Sequence, residues 1–327
     1  MLFPLGPTST PYRNFSSNPN ELAERFLAPA VGLGKMERVI RRLLRRHGIE
    51  LSKRLGQHLL VDHAMLERIA AASGVGPGWH VIEIGAGAGN LTVHLARTGA
   101  RITAIELDER FRPLHEEVFC NHELADIAPT VDFWYGDALA FDYRSVADLA
   151  HAQGMHFAVV GNIPYQITSP LVAKLVLEEI PFDAMTLLMQ REVAERLATR
   201  HGGRQSGSIS LKVNFYCYVE LLFVVPRRLF LPPPQVESQL VRFSRHEPLL
   251  PPPLRPRFFS LLEAAYAQRR KILGNTVAAA GIGYSKQRVE KALQALGLPA
   301  STRAEQLGLN EFLALFEKLN PATSEYE

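Results

Sequence analysis

His80-Val81-Ile82-Glu83-Ile84-Gly85-Ala86-Gly87-Ala88-Gly89-Asn90 decides how the rest of this chain is organised. Val81, Ile82 and Ile84 form a short apolar run that ends in glycine, which predicts a buried strand. Leu91-Thr92-Val93-His94-Leu95 then takes up helical spacing. A strand that enters a glycine turn and leaves as a helix is the nucleotide-binding start of a βαβ unit. Glycine at that turn lets the backbone bend sharply and brings bare N–H groups close to a ligand. The spacing does not fit the dinucleotide fingerprint G-x-G-x-x-G/A, because the sixth position counted from Gly85 is Asn90.

What the chain carries is G-x-G-x-G with Glu83 two residues ahead, a pattern that resembles the first motif of methyltransferases dependent on S-adenosylmethionine (SAM). The plain alternative is a tight turn with no ligand. Composition bounds the rest. With 327 residues, 47% hydrophobic and 21% charged, the chain has room for one large globular domain and a smaller one. No apolar run is long enough to span a membrane; the best, Leu221 to Val225, is the length of a strand. The two cysteines, Cys120 and Cys217, sit in no metal-binding spacing and read as two buried thiols of a protein from a reducing compartment. No metal site is expected. The net charge of +3 conceals an uneven distribution: residues 35–54 carry eight Lys/Arg against two Asp/Glu, and residues 191–275 carry fourteen against six. Residues 55–190 between them hold seven against seventeen. An acidic centre between basic flanks suits a protein that grips a polyanion, though each segment alone is equally a solvated helix face.

Residues 1–34, rich in Pro, Ser and Asn and without periodicity, are predicted to be a disordered extension with no secretory signal. Met36, Val39, Ile40, Leu43 and Leu44 then make one face of a helix whose other face is Arg38, Arg41, Arg42, Arg45 and Arg46. Lys53 to Asp62 reads as a loop ahead of a helix from Ala64 to Ala72. Further strands are predicted over Arg101–Glu106, Val131–Trp134, His156–Val160, Asp183–Gln190, Leu221–Val225 and Gln235–Phe243. Helices are predicted over Ser169–Glu179 and Arg191–Arg200, with a glycine loop from His201 to Gly207. Pro251 to Pro256 marks a linker, and the pattern from Phe258 to about Leu319 is helical. There is no P-loop, nucleophile elbow or H-E-x-x-H.

Three acceptor positions follow from this register. Glu106 ends the second strand, where an acid can accept hydrogen bonds from ribose hydroxyls; it could also be a helix-start acid, since Asp108 and Glu109 follow. Asp137, just past the third strand, can accept from the exocyclic amine of a cofactor's adenine, or can simply close a Gly-Asp turn. The fourth strand delivers Asn162-Ile163-Pro164-Tyr165. The exocyclic amine of adenine is a poor nucleophile because its lone pair is delocalised into the ring. Acceptors aimed at its hydrogens make the nitrogen more tetrahedral and more nucleophilic. The Asn162 side-chain oxygen and the Ile163 carbonyl can act so, Pro164 stiffens the turn, and Tyr165 offers a face for the base to stack on. A capped Asn turn over a buried Tyr is the plain alternative.

Taken together these segments resemble the small-subunit rRNA adenine N6,N6-dimethyltransferases, the KsgA/RsmA family, over roughly residues 50 to 320. Lys53 to Leu60 resembles the family's K-R-x-G-Q-N/H-F-L opening, which implicates Gln57, His58 and Leu60 in the SAM pocket. Glu83 to Thr92 resembles E-I-G-P-G-x-G-x-L-T, with Ala86 where Pro is usual, and Asn162 to Tyr165 resembles N-L/I-P-Y. Gln190 to Leu197, Gln268 to Asn275 and Arg303 to Leu307 match further family segments. Pro226 to Ser238 resembles V-P-x-x-x-F-x-P-x-P-K-V-D-S, with Gln235 replacing Lys and Glu237 replacing Asp. Phe230 falls on the aromatic expected to sandwich the target base opposite Tyr165. The resemblance implies an α/β, Rossmann-like SAM-dependent methyltransferase domain with a seven-stranded mixed sheet over 35–247, and a small all-helical rRNA-binding domain over 257–320. SAM would be held by Gly85, Gly87 and Gly89 on its methionine part, with Glu83 behind them, Glu106 on the ribose and Asp137 on the adenine. The implied activity is dimethylation of two adjacent adenosines near the 3′ end of small-subunit (16S) rRNA, on pre-30S particles, by a cytoplasmic monomer. Large-subunit (23S) rRNA methylases of the macrolide-resistance type share the glycine turn and the N-x-P-Y pattern and stay open. So does a methylase-like assembly factor without turnover. DNA adenine methylation fits less well, because its usual motif begins with Asp.

Overall fold

The structure, a computed structural model, describes residues 33–120, 124, 126–203 and 207–321. The extension predicted over 1–34 lies outside them except for Leu33 and Gly34, which open helix α1 (Leu33–Arg46). That helix has the predicted faces: Met36, Val39, Ile40, Leu43 and Leu44 are buried and Arg41, Arg42 and Arg45 are exposed. A two-residue strand β1 (Leu59–Leu60) and helix α2 (His63–Ser73) follow. Asp62 caps α2 by accepting from the Met65 N–H at 2.9 Å, and Gly74 closes it in the left-handed region.

Seven strands build the main sheet. They are β2 (Trp79–Ile84), β3 (Arg101–Glu106), β4 (Val131–Tyr135), β5 (His156–Asn162), β6 (Ala184–Gln190), β7 (Cys217–Val225) and β9 (Ser238–Arg245). Their spatial order is β4-β3-β2-β5-β6-β9-β7, with β9 antiparallel to both neighbours and the pairs from β4 to β6 parallel. Counted as strands one to seven of the sheet, this is 3-2-1-4-5-7-6, the mixed seven-stranded sheet expected. Parallel neighbours need crossovers. These are α3 (Asn90–Ala96), α4 (Arg112–Phe119), α5 (Tyr143–Ala152) and α6 (Thr168–Leu177), followed by α7 (Arg191–Ala198) and α8 (Ser208–Tyr216). The chain turns back at β2, so the strand order reverses between β2 and β5. The carboxyl ends at such a switch point form a crevice.

Both faces of the sheet are covered, which is why β2 is apolar at consecutive positions. Ile82 and Ile84 face one cluster with α5 to α8, and Val81 faces another with α1 to α4. Helices α9 (Arg255–Tyr266), α10 (Leu273–Ala279), α11 (Lys286–Ala295) and α12 (Leu309–Leu319) form the C-terminal part. They are joined to the first cluster rather than set apart from it. The Phe215 and Phe258 rings lie 5.5 Å apart between centroids, as do Phe258 and Phe316.

The structure differs from the sequence expectations in several places. Strand β7 begins at Cys217 rather than Leu221, and β9 begins at Ser238 rather than Gln235, after the run of prolines that cannot donate to a ladder. The predicted loop over Lys53–Asp62 contains β1, which pairs antiparallel with β8 (Phe230–Leu231), Leu59 opposite Leu231 and Leu60 opposite Phe230. Helix α8 has no counterpart in the sequence reading. Cys217 is buried as expected, but Cys120 is exposed because it caps the solvent end of α4; both thiols are free. In the predicted His201–Gly207 loop, residues 204–206 lie outside the described residues.

Candidate active site

A cleft of about 220 Å³ opens at the carboxyl ends of β2 to β5. Each strand contributes one piece of its wall: Gly85 and Gly87 after β2, Glu106 and Leu107 from β3, Gly136 and Asp137 after β4, and Asn162 to Tyr165 from β5. Leu55 to Leu59 close the opposite side. Of the predicted site residues, the structure therefore brings together Gln57, His58, Gly85, Gly87, Glu106, Asp137, Asn162, Ile163, Pro164 and Tyr165.

The glycine turn is built for close approach. Gly85 and Gly87 have φ of +80° and +55°, in the left-handed region. A Cβ at Gly87 would stand 2.5 Å from Leu59 Cδ2, and one at Gly85 would stand 3.0 Å from the Asn162 carbonyl oxygen. The bare backbone is thus what lets the β1 segment and the β5 turn meet over the loop. Gly87 is held on both sides. Its N–H donates to Glu106 Oε2 at 2.7 Å, and its carbonyl accepts from His115 Nε2 at 2.7 Å.

Glu106 is almost fully buried, and its other oxygen accepts from the Asp108 N–H at 2.9 Å. Burial raises its pKa, against the pull of the Asp108 and Gly87 N–H groups. Each carboxylate oxygen keeps a second acceptor site, so the acid remains able to take ribose hydroxyls. Gln57 is oriented at both ends of its amide: Nε2 donates to Asp108 Oδ2 at 2.9 Å and Oε1 accepts from the Ser52 N–H at 2.7 Å. Arg110, bonded to the same carboxylate, leads in holding the Asp108 pKa low. Asp137 accepts from the Leu139 N–H at 2.8 Å and is otherwise exposed at the cleft.

Asn162 Nδ2 donates to the His58 carbonyl at 2.9 Å. That bond fixes the amide so that Oδ1 is its acceptor end, with no partner for it among the described residues. The Ile163 N–H donates to the Leu188 carbonyl at 2.9 Å, which seats the turn on β6. The Tyr165 hydroxyl bonds Ser238 Oγ at 3.0 Å, and the His58 ring stacks on the Tyr165 ring at 5.8 Å between centroids, 29° from parallel. His58 Nδ1 donates to the Pro232 carbonyl at 2.7 Å. His58 thus ties the opening segment to both the β5 turn and the proline run.

Four predicted residues lie elsewhere. Phe230, expected opposite Tyr165, is 3% exposed, because its pairing with Leu60 in the β1–β8 ladder turns it into the core. The ring that faces Tyr165 is His58. Leu60 lines a smaller apolar cavity behind the glycine loop, and its carbonyl accepts from Asn90 Nδ2 at 2.6 Å. Gly89 starts α3 and backs onto Phe119 rather than the cleft. Glu83 lies under the loop, fully buried, with neither oxygen in hydrogen-bond geometry. Burial pushes its pKa up to about 8, opposed by the neighbouring Thr92 hydroxyl and reinforced by the Glu106 carboxylate.

His115 is the residue the sequence did not reveal. It sits on α4 with Nδ1 2.8 Å from the Tyr135 hydroxyl and its ring stacked 4.1 Å from Phe133. Burial lowers its pKa to about 4, so the imidazole is neutral at pH 7. A carbonyl cannot donate, so Nε2–H donates to Gly87 and Nδ1 accepts from Tyr135. A histidine inside an amphipathic helix carries no spacing signal that could have flagged it.

Residues 48–321 match the family described as ribosomal RNA adenine dimethylase. The chain belongs to that family. Among its relatives, ribosomal RNA small subunit methyltransferase A of Shouchella clausii (strain KSM-K16) is 34% identical over 279 residues, 85% of this chain and 92% of that protein. The protein of that name from Geobacillus thermodenitrificans (strain NG80-2) is 34% identical over 282 residues, 85% of this chain and 94% of its own length. Among solved structures, a dimethyladenosine transferase from Plasmodium falciparum superposes with a TM-score of 0.65 at 26% identity, covering 80% of this chain and 98% of that one. The 23S rRNA methyltransferase ErmE superposes with a TM-score of 0.62 at 28% identity, covering 80% of this chain and 99% of that one. The family resemblance and the Rossmann-like methyltransferase fold read from the sequence are both borne out.

Proposed function

We propose that this chain transfers methyl groups from SAM to N6 of two adjacent adenosines near the 3′ end of small-subunit (16S) rRNA, dimethylating each on the pre-30S particle. The observation that carries this is the Asn162 amide, whose Nδ2 is committed to the His58 carbonyl and whose Oδ1 is thereby the free acceptor beside a stacking tyrosine. An acceptor in that position suits an amine on an aromatic base better than a hydroxyl or carboxylate substrate.

The cleft suits SAM on its own chemistry. Gly85 and Gly87 leave bare backbone where a Cβ would fill the cradle, and the buried Glu106 and exposed Asp137 are acceptors spaced along it for ribose and adenine. When bound, SAM supplies an electrophilic methyl group on a sulfonium sulfur. Asn162 Oδ1 and the Ile163 carbonyl would accept the two N6 hydrogens, drawing the nitrogen lone pair out of the ring and aiming it along the line of attack. Tyr165 would hold the flipped base by stacking, and Pro164 would keep the two acceptors in place. Methylation would leave the nitrogen positively charged, with the cofactor's sulfur departing as a neutral thioether, and that cation is acidic enough to release its proton to water, so no strong base is called for.

The ErmE likeness supports a second substrate, 23S rRNA. The relatives named for the small subunit, 34% identical over 85% of the chain, favour the first. No helix of the described residues is long and apolar enough to cross a membrane; we place the protein in the cytoplasm, acting as a monomer. The deciding experiment offers labelled SAM with unmethylated small subunits, large subunits and free DNA in parallel. We expect N6,N6-dimethyladenosine in small-subunit rRNA alone. Label in large-subunit rRNA would move the protein to the second substrate. SAM binding without transfer to any of the three would make it a binding factor.

A further inference from the structure

Helix α1 lies ahead of the family match, which begins at residue 48, yet it borders a groove that adjoins the active site. The groove has a volume of about 450 Å³ and an apolar floor of Leu44, Ile49, Leu51, Leu231 and Pro232. Arg41 and Arg45, one helical turn apart, line it too. Arg45 Nε donates to the Arg41 carbonyl at 3.2 Å, and Arg41 pairs with Glu37 at 2.7 Å in an exposed contact, so both guanidiniums keep donors for a ligand. Glu50 is the one acid on the wall.

The groove and the cleft share a partition. Leu59 and His58 line the cleft; Leu59 pairs with Leu231 in the β1–β8 ladder, and just beyond the ladder the Pro232 carbonyl accepts from the His58 ring. Paired strands lie about 5 Å apart. A polynucleotide with one base in the cleft therefore has its next sugar–phosphate units within reach of the groove. Two forked cations over an apolar floor are complementary to that unit, with the phosphate on the guanidiniums and the sugar or base edge against Leu231 and Pro232.

We infer that the Arg41–Arg45 groove holds the rRNA backbone beside the target adenosine and so sets which nucleotide enters the cleft. This deepens the proposed function and rests on it. The test compares the full-length wild type, Arg41→Gln/Arg45→Gln, the charge-keeping Arg41→Lys/Arg45→Lys, and Arg101→Gln at the amino end of β3, the opposite end of the strands from the cleft. Each is assayed for methyl transfer to unmethylated small subunits across a salt series, with SAM affinity by calorimetry. For the glutamine pair we expect KM for subunits to rise on the order of ten-fold and the log–log salt slope to fall by about 1.4, for two single-strand phosphate contacts. SAM affinity should be unchanged, the lysine pair should keep the slope, and Arg101→Gln should behave as wild type. An unchanged KM and slope in the glutamine pair would overturn the groove assignment, as would an equal loss in Arg101→Gln. Wild type that transfers no methyl would instead sink the functional reading; the same salt series read as subunit binding would then still decide whether the groove grips RNA.

Discussion

At Asn162 a single hydrogen bond decides which end of an amide faces the chemistry. Replacing the side chain removes the acceptor but leaves the glycine loop, Glu106 and Asp137 in place. Asn162→Ala should therefore abolish methyl transfer while SAM affinity, measured by calorimetry, stays near wild type; lost SAM affinity would show that Asn162 holds the pocket rather than the base. Glu83 makes a different prediction. Its folded pKa of about 8 lies well above the usual carboxylate range, so between about pH 4.5 and 8 the folded state keeps a proton that the unfolded chain has released. Stability therefore falls as pH rises through that window, by up to about 1.4 kcal/mol per pH unit. Glu83→Gln removes this dependence, and its Tm relative to wild type should climb by several degrees between pH 5 and pH 8. Parallel Tm curves for the two proteins would show that Glu83 is ionised in the fold. The acids and the Asn-Ile-Pro-Tyr turn were legible because each follows a strand directly. His115 was not, since its role depends on a contact with Gly87, 28 residues away.

At the scale of the element, the glycine turn serves as a hub in which Glu106, His115 and Leu59 meet one backbone residue. Gly87→Ala sets a Cβ 2.5 Å from Leu59 Cδ2 at a φ of +55°, so the Leu59 side chain must move aside and the loop is strained. We expect SAM affinity to drop at least ten-fold with the fold retained by circular dichroism; near-normal affinity would mean the loop tolerates the shift. The main strands were readable as short apolar runs between glycines and polar turns. Helix α8 was not. Ile209, Leu211, Val213 and Phe215 alternate as they would in a strand, and burial of Ser210 and Asn214 as well as the apolar residues erases any helical polarity pattern. The β1–β8 ladder, two residues on each side, gives no periodicity at all, and it is this pairing that puts Phe230 in the core and leaves His58 over Tyr165.

Over the whole molecule, one apolar cluster runs from Ile82 in the sheet to Phe316 in the last helix. The proline linker at 251–256 suggested two separable domains; the packing of Phe258 between Phe215 and Phe316 argues that they melt together. Phe316→Ala should cost about 3–5 kcal/mol and lower the Tm of a single transition. Two resolved transitions, with only the later or earlier one moved, would show that the helical part unfolds alone. The tie through His58 has a consequence for how activity is acquired. The bonds from Asn162 to His58 and from His58 to Pro232 span 104 and 174 residues of chain. A growing polypeptide that has emerged as far as Tyr165 already contains every cofactor-facing side chain named above, yet the Pro232 carbonyl that anchors His58 Nδ1 has still to be made. Only when residues 230–232 arrive can that latch close, so the site is finished by a segment made long after the ones that carry its ligand-facing groups.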